Sequence, residues 1–331
     1  MRCLSIANAL ERIGCEVVFL VSSEQSYEFV KARNGYPVVL SANPMRLELA
    51  DAEKMSEYCK AKCIEAVLID TYAVDDRFVS FLRHLIGSSI KLIYIDDMYN
   101  FKNGRSVVPC LFDVDLAVNY DFRASLDLYA KTYSATHTKL LIGPKYAPLR
   151  KDFQNAARSF SDEINRVLVT TGSTNPQCAL ERMVDGCLEV FPDTEINVVV
   201  GPLAQFEIAA SRKRHLDIHY NADMIRLMQL ADIAVSAAGS TLYELACMGV
   251  PTLAIPLVKN QIGNAMGFRD LGLGSVIDKA DWNSKDVVKS LKELSASRDL
   301  RKLYHEQGMN EVDGYGATRI ANAIEELLYE R

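Results

Sequence analysis

The amino-acid sequence predicts an α/β protein with two doubly wound domains, and three observations support this prediction. Short runs of Val, Ile and Leu alternate with amphipathic segments almost from end to end, as in buried parallel sheets with crossover helices. A polar segment over residues 150–165 interrupts this alternation. The length of 331 residues is enough for two separate cores. We therefore expect one domain over residues 1–150 and a second over residues 151–331.

The first domain begins with a helix, because Leu4, Ala7, Leu10 and Ile13 would share one face of it. The predicted strands that follow are 15–21, 36–40, 65–69, 90–95, 115–118 and 139–142, and the further helices are 24–33, 48–62 and 75–86. A doubly wound domain normally starts with a central strand whose loop leads into the first helix. No such strand precedes the helix in this sequence.

The second domain repeats the same alternation of strands and helices. Its predicted strands are 166–171, 195–200, 216–219, 232–236, 251–255 and 275–277, and its helices are 178–190, 222–230, 241–248 and 260–271. Residues 285–331 are predicted to be entirely helical, with a break at residues 314–316.

Composition and charge exclude several classes of function. The net charge of −6 and the pI near 5.5 leave no basic excess for a phosphate polymer, so we expect no nucleic-acid partner. The eight cysteines include no C-x-x-C pair, which favours a reducing compartment. The most apolar stretch, residues 233–258, is interrupted by Glu244 and by two prolines, so no membrane span is predicted. With no signal-peptide pattern at the start, a soluble cytoplasmic protein is expected.

The segment from Ser236 to Pro251 is the most specific in the chain. A strand is predicted to end at Ser236, small residues follow, and Ser240 and Thr241 begin a helix whose N–H groups suit a diphosphate. Glu244, in the first turn, could accept hydrogen bonds from ribose hydroxyls. The alternative is an ordinary N-cap turn with Glu244 as its capping-box acid.

Three further segments follow the ends of predicted strands. Asn260 and Gln261 start the helix after the next strand, so two helix N-termini would face one crevice, although both residues could simply be N-cap residues. Gly172 follows the first strand of the second domain, where a cleft-facing turn and a plain turn fit equally well. Asp96 and Asp97 end a strand of the first domain, where a solvated turn is favoured over a metal site.

Segments spread over nearly the whole chain resemble the PseG family. This is the UDP-2,4-diacetamido-2,4,6-trideoxy-β-L-altropyranose hydrolase family of pseudaminic acid synthesis, whose relatives include spore-coat polysaccharide proteins. The matching segments are Arg2-Cys3-Leu4-x-x-Ala7-x-x-Leu10, Ile69-Asp70-x-Tyr72, Ile95-Asp96-Asp97, Leu141-x-Gly143-Pro144-x-Tyr146-Ala147-x-Leu149-Arg150, Thr171-Gly172-Ser173-Thr174 and Lys259-Asn260-Gln261.

The resemblance implies a GT-B fold, like that of the glycosyltransferase MurG, with a cleft between an acceptor-type and a nucleotide-binding domain. It implies an enzyme that binds a UDP-sugar and needs no cofactor and no metal. The diphosphate and ribose would be bound by Gly239, Ser240, Thr241 and Glu244, further substrate contacts would come from Gly172 and Gln261, and the catalytic cleft would contain Tyr72 and Asn260.

One departure from the family concerns the start of the chain. The family carries a Gly-x-Gly-His loop just ahead of the Arg-Cys-Leu helix, and its His is the expected base that activates water. None of the five histidines lies at that place; they are His84, His137, His215, His219 and His305. We expect a strand and this loop upstream of Met1.

The function that follows is hydrolysis of the anomeric C–O bond of a UDP-linked 2,4-diacetamido-2,4,6-trideoxy sugar, with inversion, in pseudaminic acid or surface-polysaccharide biosynthesis. One alternative is a GT-B glycosyltransferase that passes the sugar of the same donor to an acceptor. Another is a truncated UDP-sugar-binding protein without turnover. The sequence does not specify an oligomeric state.

Overall fold

A computed structural model of the protein describes residues 1–33, 35–40, 47–71, 73–96, 109–207 and 216–329. The chain forms two compact units. The first unit contains residues 1–120, 124–148 and 315–331, and the second contains residues 121–123 and 149–314. The sequence-based boundary places the last helix in the second domain, but this helix belongs to the first unit. The reason is that Ala317 and Ala321 pack against Ala9 of the first helix.

The first unit contains two parallel sheets and six helices within the described residues. Its strands are β1 (Phe19–Val21), β2 (Val38–Leu40), β3 (Ala66–Ile69), β4 (Lys91–Ile95), β5 (Leu116–Asn119) and β6 (Lys139–Ile142). Its helices are α1 (Arg2–Arg12), α2 (Glu24–Lys31), α3 (Leu49–Ala61), α4 (Asp76–Ile86), α5 (Leu126–Thr132) and the last helix of the chain, α12 (Gly316–Tyr329). β1 pairs with β2, and β3 to β6 form a second sheet in sequence order.

Helix α1 packs against the cores of both sheets. Leu4 and Ala7 lie in the cluster formed with the β1–β2 pair, whereas Ile6 packs with Ile93 and Ile95 of β4. The two sheets are not hydrogen-bonded to each other in the described residues. Side-chain packing, such as that of Ile6, therefore holds α1 against the larger sheet.

The second unit is one six-stranded parallel sheet with helices. Its strands are β7 (Arg166–Thr170), β8 (Glu195–Val200), β9 (Leu216–Tyr220), β10 (Ile233–Ala237), β11 (Thr252–Ile255) and β12 (Gly274–Val276). Its helices are α6 (Ala179–Val190), α7 (Met224–Leu230), α8 (Thr241–Cys247), α9 (Gln261–Asp270), α10 (Ser284–Ala296) and α11 (Arg298–Glu311). Most buried residues of β7, β10 and β11 are apolar, as expected for central parallel strands, and the buried polar exceptions are Thr170, Ser236 and Thr252.

The strand order β12-β11-β10-β7-β8-β9 creates a topological switch point. The chain runs from β7 outward to β9, returns to β10 beside β7, and then continues to β12. Ser236 of β10 lies opposite Thr170 of β7, and Ala254 of β11 lies opposite Ser236. Open α/β sheets bind ligands outside the carboxyl ends of the strands at such a point.

Two helical features differ from the sequence prediction. Helix α5 is absent from the predicted set, because its 7 residues are too few to show a helical period, although the Ser125 hydroxyl accepts a capping bond from the Leu128 N–H. In the C-terminal region Ser297 is extended and separates α10 from α11, and its hydroxyl caps α11. Within the described residues, no helix is long and apolar enough to cross a membrane.

Candidate functional site

Loops after three adjacent strands bring most of the sequence-predicted binding residues to one edge of the second unit. Gly172 follows β7, Gly239 and Ser240 follow β10, and Asn260 follows β11, with Gln261 beside it. β10 pairs with both β7 and β11. The carboxyl ends of these parallel strands, and hence the three loops, therefore lie side by side.

The loop after β10 presents backbone donors that are not used within the described protein. The Ala238 N–H donates to the Ile255 carbonyl at 3.0 Å. The next three N–H groups, those of Gly239, Ser240 and Thr241, have no acceptor in the described part of the chain. Ser240 has helical dihedral angles (φ −61°, ψ −23°) and makes no side-chain capping bond, so the capping-box interpretation of this segment is wrong.

Glu244 lies in the first turn of α8, and its side chain is 23% exposed. Burial raises the pKa of its carboxyl to about 7, and Arg150 opposes that rise. The separation between Glu244 Oε1 and Arg150 Nη2 is 4.0 Å, at the outer limit of an ion pair. Its carboxylate accepts no hydrogen bond from any described residue, so it is open to hydroxyl donors from a ligand.

Gln261 and Asn260 present their amides differently. Gln261 Oε1 accepts a bond from the Leu257 N–H at 2.9 Å, which orients its Nε2 toward the loop after β10. A Cβ at Gly239 would lie 3.5 Å from that Nε2. Asn260 is exposed at the N-cap of α9 but makes no capping bond, so its amide is available to a ligand.

Gly172 begins the loop after β7 with φ +79°, a left-handed conformation that favours glycine. The neighbouring loop after β8 packs tightly on it, because a Cβ on Gly201 would lie 2.0 Å from the Gly172 carbonyl oxygen. The hydroxyl of Thr171, just before Gly172, is buried and has no hydrogen-bond partner among the described residues. An unsatisfied buried hydroxyl is uncommon in native proteins, and this one lies at the same edge of the sheet as the three loops.

Asn264 was missed by the sequence analysis. Its side chain is only 8% exposed and bonds to the loop after β10 and to Tyr243. The one signal in the sequence was a single amide in a helix whose other buried residues are Gly263, Ala265, Gly267 and Phe268. A buried amide needs partners for both its donors and its acceptor, and so it fixes whatever loop provides them.

The first unit holds a separate polar cluster around Asp70, at the carboxyl end of β3. Arg2 Nε donates to Asp70 Oδ2 at 2.9 Å and Arg2 Nη1 to the Tyr120 hydroxyl at 2.7 Å, while the Cys3 thiol also donates to Asp70. Burial by itself would raise the pKa of Asp70, but the bonds and charge of Arg2 hold it below its usual value. Burial raises the pKa of the Cys3 thiol, which stays protonated. Tyr72, the other predicted catalytic residue, lies outside the described residues.

Asp96 is not part of a solvated turn, and the sequence-based preference for one is wrong at this residue. It is 2% exposed, and its Oδ2 accepts bonds from the Tyr129 hydroxyl at 2.5 Å and from the Cys110 N–H at 3.1 Å. Asp97 lies outside the described residues. Among those described, no three His, Cys, Asp or Glu side chains are grouped as a metal site would require. Asp96 therefore acts as a buried anchor for helix α5.

Comparison with known proteins defines the class of the fold. Residues 166–321 match the model of the glycosyltransferase family 28 C-terminal domain. The crystal structure of MurG from Acinetobacter baumannii superposes with a TM-score of 0.70 at 16% identity, covering 98% of this chain and 95% of that one. CalG4, the calicheamicin glycosyltransferase, gives a TM-score of 0.66 at 15% identity over 99% of this chain and 95% of its own. The chain has the GT-B fold, as the resemblance implied.

The most informative relatives by sequence are two curated proteins. The spore coat polysaccharide biosynthesis protein SpsG of Bacillus subtilis is 25% identical over 299 residues, which are 86% of this chain and 83% of that protein. An N-acetylmuramyl-(pentapeptide) pyrophosphoryl-undecaprenol N-acetylglucosamine transferase of Clostridium botulinum is 27% identical over 148 residues, 43% of this chain and 42% of the transferase. The resemblance to the family that includes the spore-coat polysaccharide proteins is thereby confirmed.

Proposed function

We propose that this protein is a UDP-sugar hydrolase that releases UDP and the free sugar from a UDP-linked 2,4-diacetamido-2,4,6-trideoxy sugar. The observation that carries the proposal is the pairing of unused donors with an unused acceptor at one end of α8. Three consecutive N–H groups, from Gly239 to Thr241, have no acceptor in the described chain, and the Glu244 carboxylate one turn on has no hydrogen-bond donor there. A nucleoside diphosphate supplies the missing partners of both kinds.

In this assignment the two kinds of group bind different parts of UDP. The N–H groups of Gly239, Ser240 and Thr241 donate to the diphosphate oxygens, which are charged acceptors and make strong bonds. Glu244 accepts from the ribose hydroxyls. Helix α8 has only 7 residues, so the loop donors contribute more than the helix dipole does.

The remaining predicted residues extend the site toward the sugar. Gln261 Oε1 accepts the Leu257 N–H, which leaves Nε2 beside the loop of Gly239 as a donor for the ligand. Gly172 lets the β7 loop approach the ligand closely without a side chain. Asn260 is assigned to the reacting end of the substrate, and Tyr72 stays a predicted catalytic residue.

The chemistry needs no cofactor. A water oxygen attacks the anomeric carbon from the face opposite UDP, the C–O bond to the phosphate breaks, and UDP leaves with the electron pair. The water gives its proton to a base, and the anomeric centre is inverted. Donors that hold the charge on the departing diphosphate lower the barrier, because that charge grows in the transition state.

The relatives support the biological setting that we propose. SpsG is described as a spore coat polysaccharide biosynthesis protein, and its similarity covers most of this chain. The PseG resemblance adds the sugar class and the hydrolytic reaction. We assign the protein to pseudaminic acid or surface-polysaccharide biosynthesis on that basis.

A second candidate is a glycosyltransferase that uses the same UDP site and passes the sugar to an acceptor. The match of residues 166–321 to a glycosyltransferase C-terminal domain favours it directly. The UDP site would be unchanged, and only the nucleophile would differ.

Product analysis without an acceptor separates the two reactions. The protein is incubated with the UDP-linked diacetamido trideoxy sugar alone, UDP release is followed by a coupled assay, and the anomer of the free sugar is read by NMR. Stoichiometric UDP and inverted free sugar support the hydrolase. UDP release that requires an added acceptor would support the transferase instead.

One matched pair of variants tests the assignment of Asn260. Asn260→Ala should lower kcat at least tenfold with little change in UDP affinity, because the amide is exposed and acts beyond the UDP-binding groups. Asn165→Ala serves as the control, since Asn165 is also exposed but precedes β7 at the opposite edge of the sheet. Equal kcat values for the two variants would remove Asn260 from the reacting centre.

A further inference from the structure

Asn264 has all its hydrogen-bonding groups engaged inside the second unit. Its Nδ2 donates to the Ala238 carbonyl at 3.0 Å and to the Gly239 carbonyl at 3.3 Å, while its Oδ1 accepts from the Tyr243 hydroxyl at 2.9 Å. Two carbonyl neighbours require the NH2 group on that side, so the orientation of the amide is fixed. The donors and the acceptor of the Asn264 amide are therefore used by bonds within the protein, and the residue is 8% exposed.

These bonds set the direction of two peptide groups in the loop after β10. The described chain has no cis peptide bond. In a planar trans peptide the N–H points away from the carbonyl of the preceding residue. Because the Ala238 and Gly239 carbonyls both turn toward Asn264, the N–H groups of Gly239 and Ser240 turn to the opposite side. These are two of the donors that have no acceptor among the described residues.

The partner of Asn264 is itself held in place by aromatic packing. The Tyr243 ring stacks on Phe122 with a centroid distance of 4.1 Å and an interplanar angle of 8°. Phe122 also meets Phe268 edge-on at 5.4 Å. Both stacked rings are buried, with 6% and 3% exposure. The Tyr243 hydroxyl is thus a rigid donor that holds the Asn264 amide in one orientation.

We propose that Asn264 is a positioning residue for the diphosphate of the nucleotide sugar. It does not touch the substrate. It holds the Ala238 and Gly239 carbonyls on one side of the loop, so that the N–H groups of Gly239 and Ser240 are aimed at the phosphate oxygens before the ligand arrives. Donors that are oriented in advance bind more tightly, because the ligand does not have to order them. This inference rests on the proposed UDP site.

The test compares two ligands that differ only in the diphosphate. Affinities for UDP and for uridine are measured by calorimetry and by competition on the wild type, on Asn264→Ala and on a control, Asn197→Ala. Asn197 is equally buried in the same unit, at 7% exposure, but bonds to Glu195 of its own strand β8 and to His219 of the edge strand β9. We expect Asn264→Ala to weaken UDP binding about tenfold or more, as loss of oriented charged hydrogen bonds does. Uridine affinity should stay within about twofold in both variants.

Thermal unfolding of both variants separates positioning from general destabilisation. Both should melt at lower temperature than the wild type, but only Asn264→Ala should change the ratio of UDP to uridine affinity. An equal loss for UDP and uridine, or no loss for UDP, would overturn the positioning role. A wild type that binds UDP no more tightly than uridine would instead refute the proposed UDP site, and this inference with it.

A second variant decides the matter where Asn264→Ala fails to fold. Tyr243→Phe keeps the ring and its stack on Phe122 and removes only the hydroxyl that fixes the Asn264 amide. We expect UDP affinity to fall about threefold with uridine affinity unchanged, because the amide loses one of its three bonds. Unchanged UDP affinity in a folded Tyr243→Phe protein would contradict the proposal.

Discussion

Glu244 Oε1 lies 4.0 Å from Arg150 Nη2, and this distant ion pair is the only charge compensation for the carboxyl in the described structure. Burial raises the pKa of Glu244 to about 7. A carboxyl that the protein desolvates without supplying hydrogen bonds is unfavourable for folding. A ligand that donates hydrogen bonds to the carboxyl would offset this unfavourable desolvation. The first two predictions follow from this.

The first prediction concerns UDP affinity. At pH 8, where the Glu244 carboxyl is ionised, Glu244→Gln should weaken UDP binding by about 1–3 kcal/mol, because the ribose hydroxyls lose a charged acceptor. Calorimetry measures the change directly. Glu195→Gln is the control, since Glu195 lies at the amino end of β8, on the edge of the sheet opposite the loops. UDP affinity that is the same in both variants would leave Glu244 without a ligand role.

The second prediction concerns stability and pH. The folded protein binds the Glu244 proton more tightly than the unfolded chain, because burial raises the pKa of the carboxyl from its ordinary value of 4.5 to about 7. Its contribution to the free energy of unfolding is thus complete below pH 4.5 and is lost as the pH rises through 7. The glutamine of the Glu244→Gln variant cannot titrate, so this variant should lose less unfolding free energy than the wild type between pH 5 and pH 8. The difference should be on the order of the free energy that corresponds to the shift in the pKa of Glu244 on folding.

Urea denaturation at these two pH values, without ligand, provides the measurement. The change in unfolding free energy between the two pH values is determined for each protein, and the two changes are compared. Their difference cancels the titration of all other groups. If the wild type and Glu244→Gln change in parallel, the carboxyl is ionised in the folded protein at a normal pKa.

The third prediction tests the contact between the loops after β7 and β8. Gly201→Ala would place a Cβ 2.0 Å from the Gly172 carbonyl oxygen, so one loop has to move. We expect a loss of about 3 kcal/mol or more in unfolding free energy, at the upper end for overpacking. Gly272→Ala is the control, because Gly272 has φ +68° with open space around it and should lose only about 1–2 kcal/mol from backbone strain. Similar losses in the two variants would argue against close packing of the loops.

The fourth prediction concerns the cluster at the start of α1. Asp70→Asn removes the carboxylate that binds Arg2 Nε and Nη2, and should lower the unfolding free energy by about 1–3 kcal/mol. Glu326→Gln breaks the exposed pair with Lys139 in the same unit and should change it by less than about 1 kcal/mol. Denaturant unfolding followed by circular dichroism compares them. An Asp70→Asn protein as stable as Glu326→Gln would mean that the Arg2 pair is worth no more than a surface one.

Much of the fold follows from local patterns in the sequence. Buried parallel strands are short apolar runs, and the predicted strands agree with β3 to β12 to within about two residues at their ends, as do the helices between them in the second unit. β1 is shorter than predicted, because residues 15–18 make no strand pairing. Helix α5 was too short to show a period. The Gly239–Glu244 segment stays a predicted nucleotide site, because small residues, hydroxyls and an acid follow a strand in a spacing that suits a diphosphate and a ribose.

By itself the sequence determined which small and polar residues follow the ends of strands, because that is a local property of the chain. The tertiary structure decided which of them meet. The switch point placed β10 between β7 and β11, and only then did Gly172, Gly239 and Gln261 reach one edge. Two contacts join segments that are distant in the sequence: Arg150 lies near Glu244, and Asn264 bonds to the loop after β10. The packing of helices on the sheet sets both contacts, and no local pattern of hydrophobicity or spacing encodes them.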